Sequence, residues 1–258
     1  MSVIQVVLRL PGGQCLPTAH CNASGDKTGK IQTVTRYHGL INQGATCYLN
    51  SVLQVLFMTE DFREAVTRFS DESPHSELID HHLKGLFDSL QKDTANTFEI
   101  TKKLGLNNVN EQHDAAEYFD RVLNLTSPGA SESKLIKHHP DVLILLLKRF
   151  PSNYKHISRV KNNSTVKIPY SLQISESKSY ELYAVVDHNT QGGHYTATIK
   201  VPNEDRWYNF DDTSVTLVNK KMFKEDNSER SPTANLLVYR KKKRCQGYVH
   251  QWKLPIHY

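Results

Sequence analysis

The sequence contains little cysteine, methionine or tryptophan, with 4, 3 and 2 residues of these types among 258. The cysteines stand singly, and no two have the C-x-x-C spacing of a structural zinc site. Four scattered cysteines also fall short of the dense disulfide framework of small secreted domains. We therefore predict no metal site and no disulfide scaffold. The cysteines are Cys15, Cys21, Cys47 and Cys245.

The sequence also lacks a long apolar segment. A membrane-spanning helix needs about 20 consecutive apolar residues, and no run approaches that length. Residues 3–10 are mostly apolar, but they include Arg9 and follow no basic leader, unlike a secretory signal. We therefore expect no membrane partner and a reducing compartment, either the cytosol or the nucleus.

Overall composition is that of an ordinary globular chain, with 38% hydrophobic and 23% charged residues. The length is sufficient for one sizeable domain. The formal net charge of +5 comes partly from the basic run at residues 240–244. We interpret this run as a solvated tail after the last strand, with a nuclear import signal or contact with acidic partners as alternatives. Nucleic acid is not the expected partner.

Helical patterns dominate the first half of the chain. An amphipathic helix is predicted from Cys47 to Met58, because apolar residues recur there at i, i+3, i+4 and i+7. That stripe consists of Leu49, Val52, Leu53 and Leu56. Further helices are predicted over residues 61–69, 76–91 and 111–123.

The second half has the pattern of strands. Strands are predicted over residues 142–150, 180–186, 194–201, 206–210 and 234–240. Helices followed by strands predict an α+β fold, with a helical lobe beside an antiparallel sheet and a cleft between them. Residues 1–36 show little periodicity and are predicted to be an extension, either flexible or packed as a short strand.

Cys47 would open the first helix, where the partial positive charge of the N-terminus favours a thiolate over a thiol. The segment Gly39-Leu-Ile-Asn-Gln-Gly-Ala-Thr-Cys47-Tyr-Leu-Asn-Ser51 resembles the cysteine box of the ubiquitin-specific proteases. The resemblance implies that Cys47 is the nucleophile and that Asn42 stabilises the oxyanion. Ala45 departs from the asparagine usual in that family.

A second pair of segments resembles the histidine and aspartate boxes of the same family. They are Gly192-Gly-His-Tyr-Thr-Ala197 and Trp207-Tyr-Asn-Phe-Asp-Asp212. The resemblance implies that His194 is the general base and that Asp211 orients it, with Asp212 as the secondary candidate. An imidazole must take the thiol proton and later protonate the leaving amine, and a carboxylate fixes its tautomer.

A third segment, residues 110–119, resembles the acidic helix that binds the C-terminal tail of ubiquitin in that family. It carries Gln112, Asp114 and Glu117, and its two carboxylates can accept charge-assisted bonds from arginine and backbone N–H groups. Helix capping or a solvated face is the alternative. The resemblance adds Gly193 and Tyr195 to the tail-binding set and implies two covering loops, at residues 152–161 and 187–193.

The strand over residues 142–150 and the closing strand resemble the structural palm of the family. The implied fold is papain-like, with the catalytic domain at residues 37–242 between an extension at 1–36 and a basic tail at 243–258. The thumb would span about residues 37–127 and the palm about residues 138–242. Only some twenty-five residues separate Phe119 from Leu145, so the β-rich fingers insertion is predicted to be absent.

The resemblance implies a thiol-dependent deubiquitinase that hydrolyses the bond after the terminal glycine of ubiquitin, without a cofactor. The alternatives are a deconjugase for another ubiquitin-like modifier, a catalytically weak ubiquitin-binding scaffold, and a papain-like peptidase of broad specificity. An accessory protein could replace the grip of the fingers. Residues 7–13, Val-Leu-Arg-Leu-Pro-Gly-Gly, also resemble the end of ubiquitin, and we consider whether they occupy the chain's own cleft.

Overall fold

The computed structural model describes a helical lobe packed against an antiparallel sheet. The described residues are 4–7 (backbone only), 37–73, 78–127, 141–147, 149, 163–176, 178–189, 191–201, 205–219 and 228–242. The predicted covering loop at residues 152–161, the tail at 243–258 and the ubiquitin-like segment after Val7 lie outside the described residues.

Apart from β1, the described helices and strands follow one another in the predicted order of helices first and strands second. The helices are α1 (Cys47–Met58), α2 (Glu60–Glu72), α3 (Asp80–Leu90), α4 (Phe98–Lys103) and α5 (Ala115–Leu125). The strands are β1 (Ile4–Val7), β2 (Val142–Leu147), β3 (Val166–Pro169), β4 (Ser171–Ser175), β5 (Lys178–Asn189), β6 (His194–Lys200), β7 (Trp207–Asp211), β8 (Ser214–Leu217), β9 (Ser228–Ser231) and β10 (Ala234–Lys241).

The central helix α1 is buried on every side, although the apolar stripe predicts one exposed face. All of its residues are buried, including the polar Asn50, Ser51 and Gln54. It lies between the sheet, where it contacts β5, β6 and β7, and the helices α2 and α5. The polar residues satisfy part of their hydrogen-bonding capacity locally, as where the Ser51 hydroxyl donates to the Tyr48 carbonyl at 2.9 Å. Contacts with the sheet and with the other helices therefore bury the face that the sequence periodicity predicts to be exposed.

The other helices differ from prediction mainly at their starts. Helix α5 begins at Ala115 because Asp114 is its N-cap and accepts a bond from the Ala116 N–H at 2.9 Å. Helix α4 was not predicted, since six residues give too few turns for a periodic pattern. None of the helices in the described ranges is long and apolar enough to cross a membrane.

The predicted antiparallel sheet is confirmed, and it runs in the order β1-β2-β10-β5-β6-β7-β8, with β4 pairing separately with β5. Every one of these pairings is antiparallel. One core lies between the sheet and the helices and includes Tyr48, Phe87 and Phe119. A second core lies around Tyr180, Trp207 and Tyr239 and includes Ile168 of the β3–β9 ribbon.

The link between the two lobes is short. Only residues 126–141 separate α5 from β2, which leaves no room for a long β-rich fingers region. The buried Asp80 carboxylate holds the start of this link, because it accepts bonds from the Ser127 N–H at 3.0 Å and the Ser127 hydroxyl at 2.9 Å. The helical lobe is thus anchored where the chain leaves α5.

The basic run begins inside the sheet, so the predicted solvated tail starts later than residue 240. Arg240 and Lys241 belong to β10. Lys241 forms an ion pair with Asp141 at 3.4 Å, and Lys242 forms one with Glu181 at 2.6 Å. Asp141 immediately precedes β2 and Glu181 lies in β5, and neither position can be read from the local charge pattern.

Candidate active site

Cys47 is the first residue of α1, and its thiol meets the sheet. The residue is 2% exposed and is a free thiol. The backbone N–H of Tyr195, in β6, donates to Cys47 Sγ at 3.5 Å. The start of the helix and the start of the strand are therefore in contact at the sulfur.

Burial raises the pKa of the Cys47 thiol, contrary to the expectation that the helix N-terminus favours a thiolate. Loss of solvent is the largest cause, and the negative charge of Asp212 adds to it. Backbone N–H groups, led by that of Tyr195, lower the pKa but do not outweigh the burial. The expectation considered the helix end, whose N–H groups do lower the pKa, without the burial that outweighs them.

His194 begins β6 and Asp211 ends the neighbouring strand β7. His194 Nε2 lies 2.6 Å from Asp211 Oδ1, a short hydrogen bond for this pair. The two side chains remain accessible, with 36% and 48% of their surfaces exposed. Since Nε2 is engaged by the carboxylate, Nδ1 is the ring nitrogen that remains for a reaction partner.

Asp212 follows in the β7–β8 turn with a φ of 48° and is the less exposed of the two acids, at 16% of its side chain. Its Oδ2 accepts a bond from Asn42 Nδ2 at 2.9 Å, and its Oδ1 accepts one from Asn50 Nδ2 at 2.8 Å. The distance from Oδ2 to His194 Nε2 is 4.0 Å. Asp212 is thus held by two asparagines and lies farther from the imidazole than Asp211.

Asn50 is a site residue that the sequence reasoning missed. It lies three residues after Cys47 on α1, so the two side chains share one helix face. That spacing is the signal that could have identified it.

The loop before Cys47 is packed directly on the Asp212 turn. The Leu40 N–H donates to the Asp212 carbonyl at 2.8 Å. A Cβ on Gly39 would lie 2.3 Å from that same carbonyl oxygen, so only glycine allows this approach.

Asn42 holds this loop in shape. Its Oδ1 accepts bonds from the N–H groups of Gly44 at 2.9 Å and Thr46 at 3.1 Å, while its amide nitrogen donates to Asp212. The Ala45 N–H donates to the Val109 carbonyl at 2.7 Å. The loop is therefore fixed at several points even though alanine stands at position 45.

The two lobes meet again at Gln112 and Gly193. Gly193 has a φ of 63°, and a Cβ there would lie 2.5 Å from Gln112 Oε1. Because β5 extends to Asn189, the connection to β6 is shorter than the predicted loop at 187–193. The Gln112 side chain thus lies across the backbone of this connection.

The two acidic residues at the start of α5 have different local roles. Asp114 is half-buried and caps the helix, as the capping alternative predicts. Glu117 is exposed in the first turn.

His188 is a second residue that the sequence reasoning missed. Its ring is buried at 8% exposure and stacks on the Tyr195 ring, with centroids 4.3 Å apart and planes at 28°. Alternation along β5 gives no hint of this stacking, because it depends on the register of β5 with β6, where His188 is paired with Tyr195.

One group of metal-binding side chains comes together among the described residues. It consists of His194, Asp211 and Asp212, whose donor atoms lie within 4.8 Å of one another. His194 and Asp211 bond each other, and Asp212 accepts from two asparagines. These donor and acceptor atoms are therefore already engaged in one hydrogen-bonded network.

The chain is similar to known proteins over most of its length. The family described as ubiquitin carboxyl-terminal hydrolase matches residues 38–134 and 129–239. Ubiquitin carboxyl-terminal hydrolase 15 of Schizosaccharomyces pombe is 27% identical over 301 aligned positions, which cover 80% of this chain and 27% of the relative. Ubiquitin carboxyl-terminal hydrolase 5 of the same organism is 25% identical over 319 positions, covering 83% and 29%. Ubiquitin carboxyl-terminal hydrolase 47 of Drosophila melanogaster is 41% identical over 87 positions, covering 31% and 6%.

The chain spans less than a third of the length of these relatives. The alignment with the first relative runs over 301 positions although this chain has only 258 residues. That relative therefore carries extra residues inside the matched region, in agreement with the missing insertion between α5 and β2. With the family match covering most of its length, the chain belongs to the ubiquitin carboxyl-terminal hydrolase family, and its link between α5 and β2 is too short for the fingers insertion.

Proposed function

We propose that this chain is a thiol-dependent deubiquitinase that hydrolyses the isopeptide or peptide bond after the C-terminal glycine of ubiquitin. The observation that carries the proposal is the meeting of three groups. An imidazole bound to a carboxylate opens β6, and the next backbone N–H of that strand contacts the Cys47 sulfur. A nucleophile, a base and an orienting group are the parts that covalent acyl transfer requires.

In the proposed reaction, His194 Nδ1 accepts the Cys47 proton as Sγ attacks the carbonyl carbon of the terminal glycine. The C–N bond then breaks, and the imidazolium gives its proton to the leaving amine. The resulting thioester is attacked by water, whose proton passes to His194. The C–S bond breaks, the modifier leaves with a free carboxylate, and the thiol is restored.

Because the pKa of Cys47 is raised, we assign deprotonation of its thiol to the reaction step and not to the resting enzyme. Cys47 then rests as a thiol, and transfer of its proton accompanies the approach of the carbonyl. Asp211 supports this step, because a carboxylate on Nε2 stabilises the imidazolium that forms. Asp212 acts through Asn42 and Asn50 rather than through the imidazole.

Asn42 is the proposed oxyanion donor. A primary amide carries two N–H hydrogens, and Asp212 accepts one of them. The second is assigned to the negative charge that develops on the carbonyl oxygen. Such a donor contributes most when it is fixed in advance, and Gly44 and Thr46 hold the Asn42 carbonyl oxygen in place.

The tail of the modifier is proposed to enter between α5 and the β5–β6 connection. Gln112, Gly193 and Tyr195 would line this passage, while Asp114 and Glu117 receive cationic or N–H groups of the tail. Gln112 lies against the Gly193 backbone in the described structure. Its side chain must therefore move as the tail enters.

Without the fingers insertion, we propose that binding depends more on the tail and the remaining palm surface, and that an accessory protein supplies further grip. We also propose a reducing compartment, the cytosol or the nucleus. The chemistry needs Cys47 as a reduced thiol, and Cys47 is free.

Covalent capture tests the proposal directly. Wild type and Cys47→Ala are incubated with ubiquitin and other ubiquitin-like modifiers that carry a thiol-reactive group at the C-terminus, and the products are weighed. The expected result is a ubiquitin adduct of wild type alone. An adduct with a different modifier only would make the chain a deconjugase for that modifier. The absence of every adduct would favour the scaffold alternative and overturn the proposal.

A further inference from the structure

Asn235 has a fully buried side chain whose polar atoms lack a partner. The residue is 0% exposed, and neither Nδ2 nor Oδ1 has a hydrogen-bond partner in the described part of the chain. Asparagine is a poor strand residue, and an unsatisfied buried amide is destabilising. A strand interior that retains such a residue calls for a physical reason.

The local backbone is irregular at this position. Strand β10 pairs Ala234 with Asp187 and Leu236 with Val186, so Asn235 falls at a shift in register against β5. Bulges of this kind re-aim a side chain and are common beside active sites. The irregularity therefore coincides with the unsatisfied amide.

Neighbouring polar groups bond partners other than the Asn235 side chain. The Thr233 hydroxyl donates to Asp187 Oδ1 at 2.8 Å. The buried Arg149 guanidinium donates from Nε to the Ala234 carbonyl at 2.9 Å. Neither of these bonds involves the Asn235 amide. No complement for this amide lies among the described residues.

Asn235 lies toward the end of the sheet that contacts the Cys47 thiol. The backbone N–H of His188, on β5, donates to the Thr233 carbonyl at 3.0 Å. The His188 ring stacks on Tyr195 of β6, whose N–H meets Cys47 Sγ. Two strand spacings, or about 10 Å, separate β10 from β6.

An extended chain advances about 3.3 Å per residue, so this separation corresponds to about three residues of a bound tail. An asparagine side chain offers one carbonyl and one NH₂ group, which complement the N–H and C=O of a peptide unit. The pair would form two hydrogen bonds like those of a strand ladder. The partner that fits the geometry is thus backbone rather than a charged side chain.

We propose that Asn235 is a specificity-determining residue that hydrogen-bonds a backbone peptide group of the substrate tail, about three residues before the attacked glycine. This inference rests on the proposed deubiquitinase function and deepens it. Because Asn235 is fully covered in the ligand-free chain, the tail must move the covering side chains aside. The amide thus contributes to substrate binding and not to the stability of the free chain.

The test separates stability from substrate affinity. Asn235→Leu keeps a similar shape and removes both polar atoms. Its urea midpoint should equal or exceed that of wild type, because an unsatisfied amide is lost. With ubiquitin bearing a fluorogenic C-terminal amide, its KM should rise about ten-fold while kcat changes less than about two-fold.

Asn209→Leu is the matched control. Asn209 lies on β7 in the same sheet, and its amide donates to the Thr198 hydroxyl at 3.2 Å. Because that amide has a partner, the control should lose stability and keep the wild-type KM. If Asn235→Leu fails to fold, the smaller Asn235→Ala is judged on KM alone.

A lower urea midpoint for folded Asn235→Leu would overturn the inference, since the amide would then have a partner in the free chain. An unchanged KM in either Asn235 variant would also overturn it and leave the residue as a buried structural amide. A wild type without turnover and without ubiquitin capture would refute the proposed function itself, and the inference with it.

A modified substrate provides a second test of the inference. Semisynthetic ubiquitin with an ester in place of the peptide linkage about three residues before its end removes one N–H donor. Wild type should bind this substrate less well than normal ubiquitin, and Asn235→Leu should bind both alike. Equal losses in the two enzymes would show that the two groups do not interact and would overturn the inference.

Discussion

Asn50 donates a hydrogen bond from its side-chain amide to the Asp212 carboxylate at 2.8 Å and thereby ties α1 to the β7–β8 turn. The same carboxylate acts on Cys47, one turn back along the helix, because its negative charge raises the pKa of the thiol. The contact that fixes the helix to the sheet thus also holds an anion near the sulfur.

Asp212→Asn should lower the pKa of Cys47. A neighbouring anion destabilises the thiolate, so its removal favours ionisation, while burial, the largest cause of the raised pKa, remains. The rate of Cys47 alkylation by iodoacetamide, followed against pH by mass spectrometry, should reach half its maximum at a lower pH than in wild type. Cys47→Ala identifies labelling at other cysteines. An unchanged or higher midpoint would contradict the assigned effect of Asp212.

Asp211→Asn should lower kcat for the fluorogenic ubiquitin substrate by about 100-fold or more, with KM nearly unchanged. The asparagine keeps the shape of the 2.6 Å contact but does not supply the charge that stabilises an imidazolium. Asp205→Asn is the control, since Asp205 pairs with Lys200 at 2.6 Å on the surface. Near-normal turnover in Asp211→Asn together with inactivity in Asp212→Asn would transfer the orienting role to Asp212.

Glu117→Lys should raise KM for the same substrate by about ten-fold at low salt, because an exposed carboxylate proposed to receive a cationic tail becomes a cation. The difference from wild type should shrink as salt is added. Glu99→Lys makes the same change in the first turn of α4 and should leave KM unaltered. Equal effects of both variants would mean that net charge, and not a tail contact, determines KM.

The direction of β1 can be read from its pairing with β2. Ile4 pairs with Leu147, at the end of the sheet that carries His194, and Val7 pairs with Ile144 farther from it. The chain therefore leaves β1 heading away from the site. Strand β1 also lies four strand spacings, or about 19 Å, from β6.

Deletion of residues 1–13 should consequently leave kcat and KM unchanged and reduce the free energy of unfolding by about 1–3 kcal/mol, because β2 loses its ladder partner. Urea unfolding and steady-state kinetics measure the two effects. Faster turnover after the deletion would instead support an autoinhibitory segment.

The fold class could be predicted because helical and strand periodicities occupy separate halves of the chain, and α1 and β6 each begin at a residue of the candidate site. The short strands β3, β4, β8 and β9 could not, since four or five residues carry too little alternation. Their existence depends on the partners they pair with.

The local segments around Cys47, His194 and Asp211 are readable because each is a short contiguous stretch. The bond between Asn50 and Asp212 is not, because 162 positions separate the two residues. The raised pKa of Cys47 also depends on the sheet that covers the helix end, which local charge and dipole arguments omit.

The burial of α1 on every side has a consequence for how activity is lost on heating. A helix without a solvent-facing side has no independent route to fraying, and its amide hydrogens should exchange only when the surrounding lobe opens. The nucleophile is therefore carried by the most cooperative unit of the molecule, and thermal inactivation should coincide with global unfolding rather than precede it.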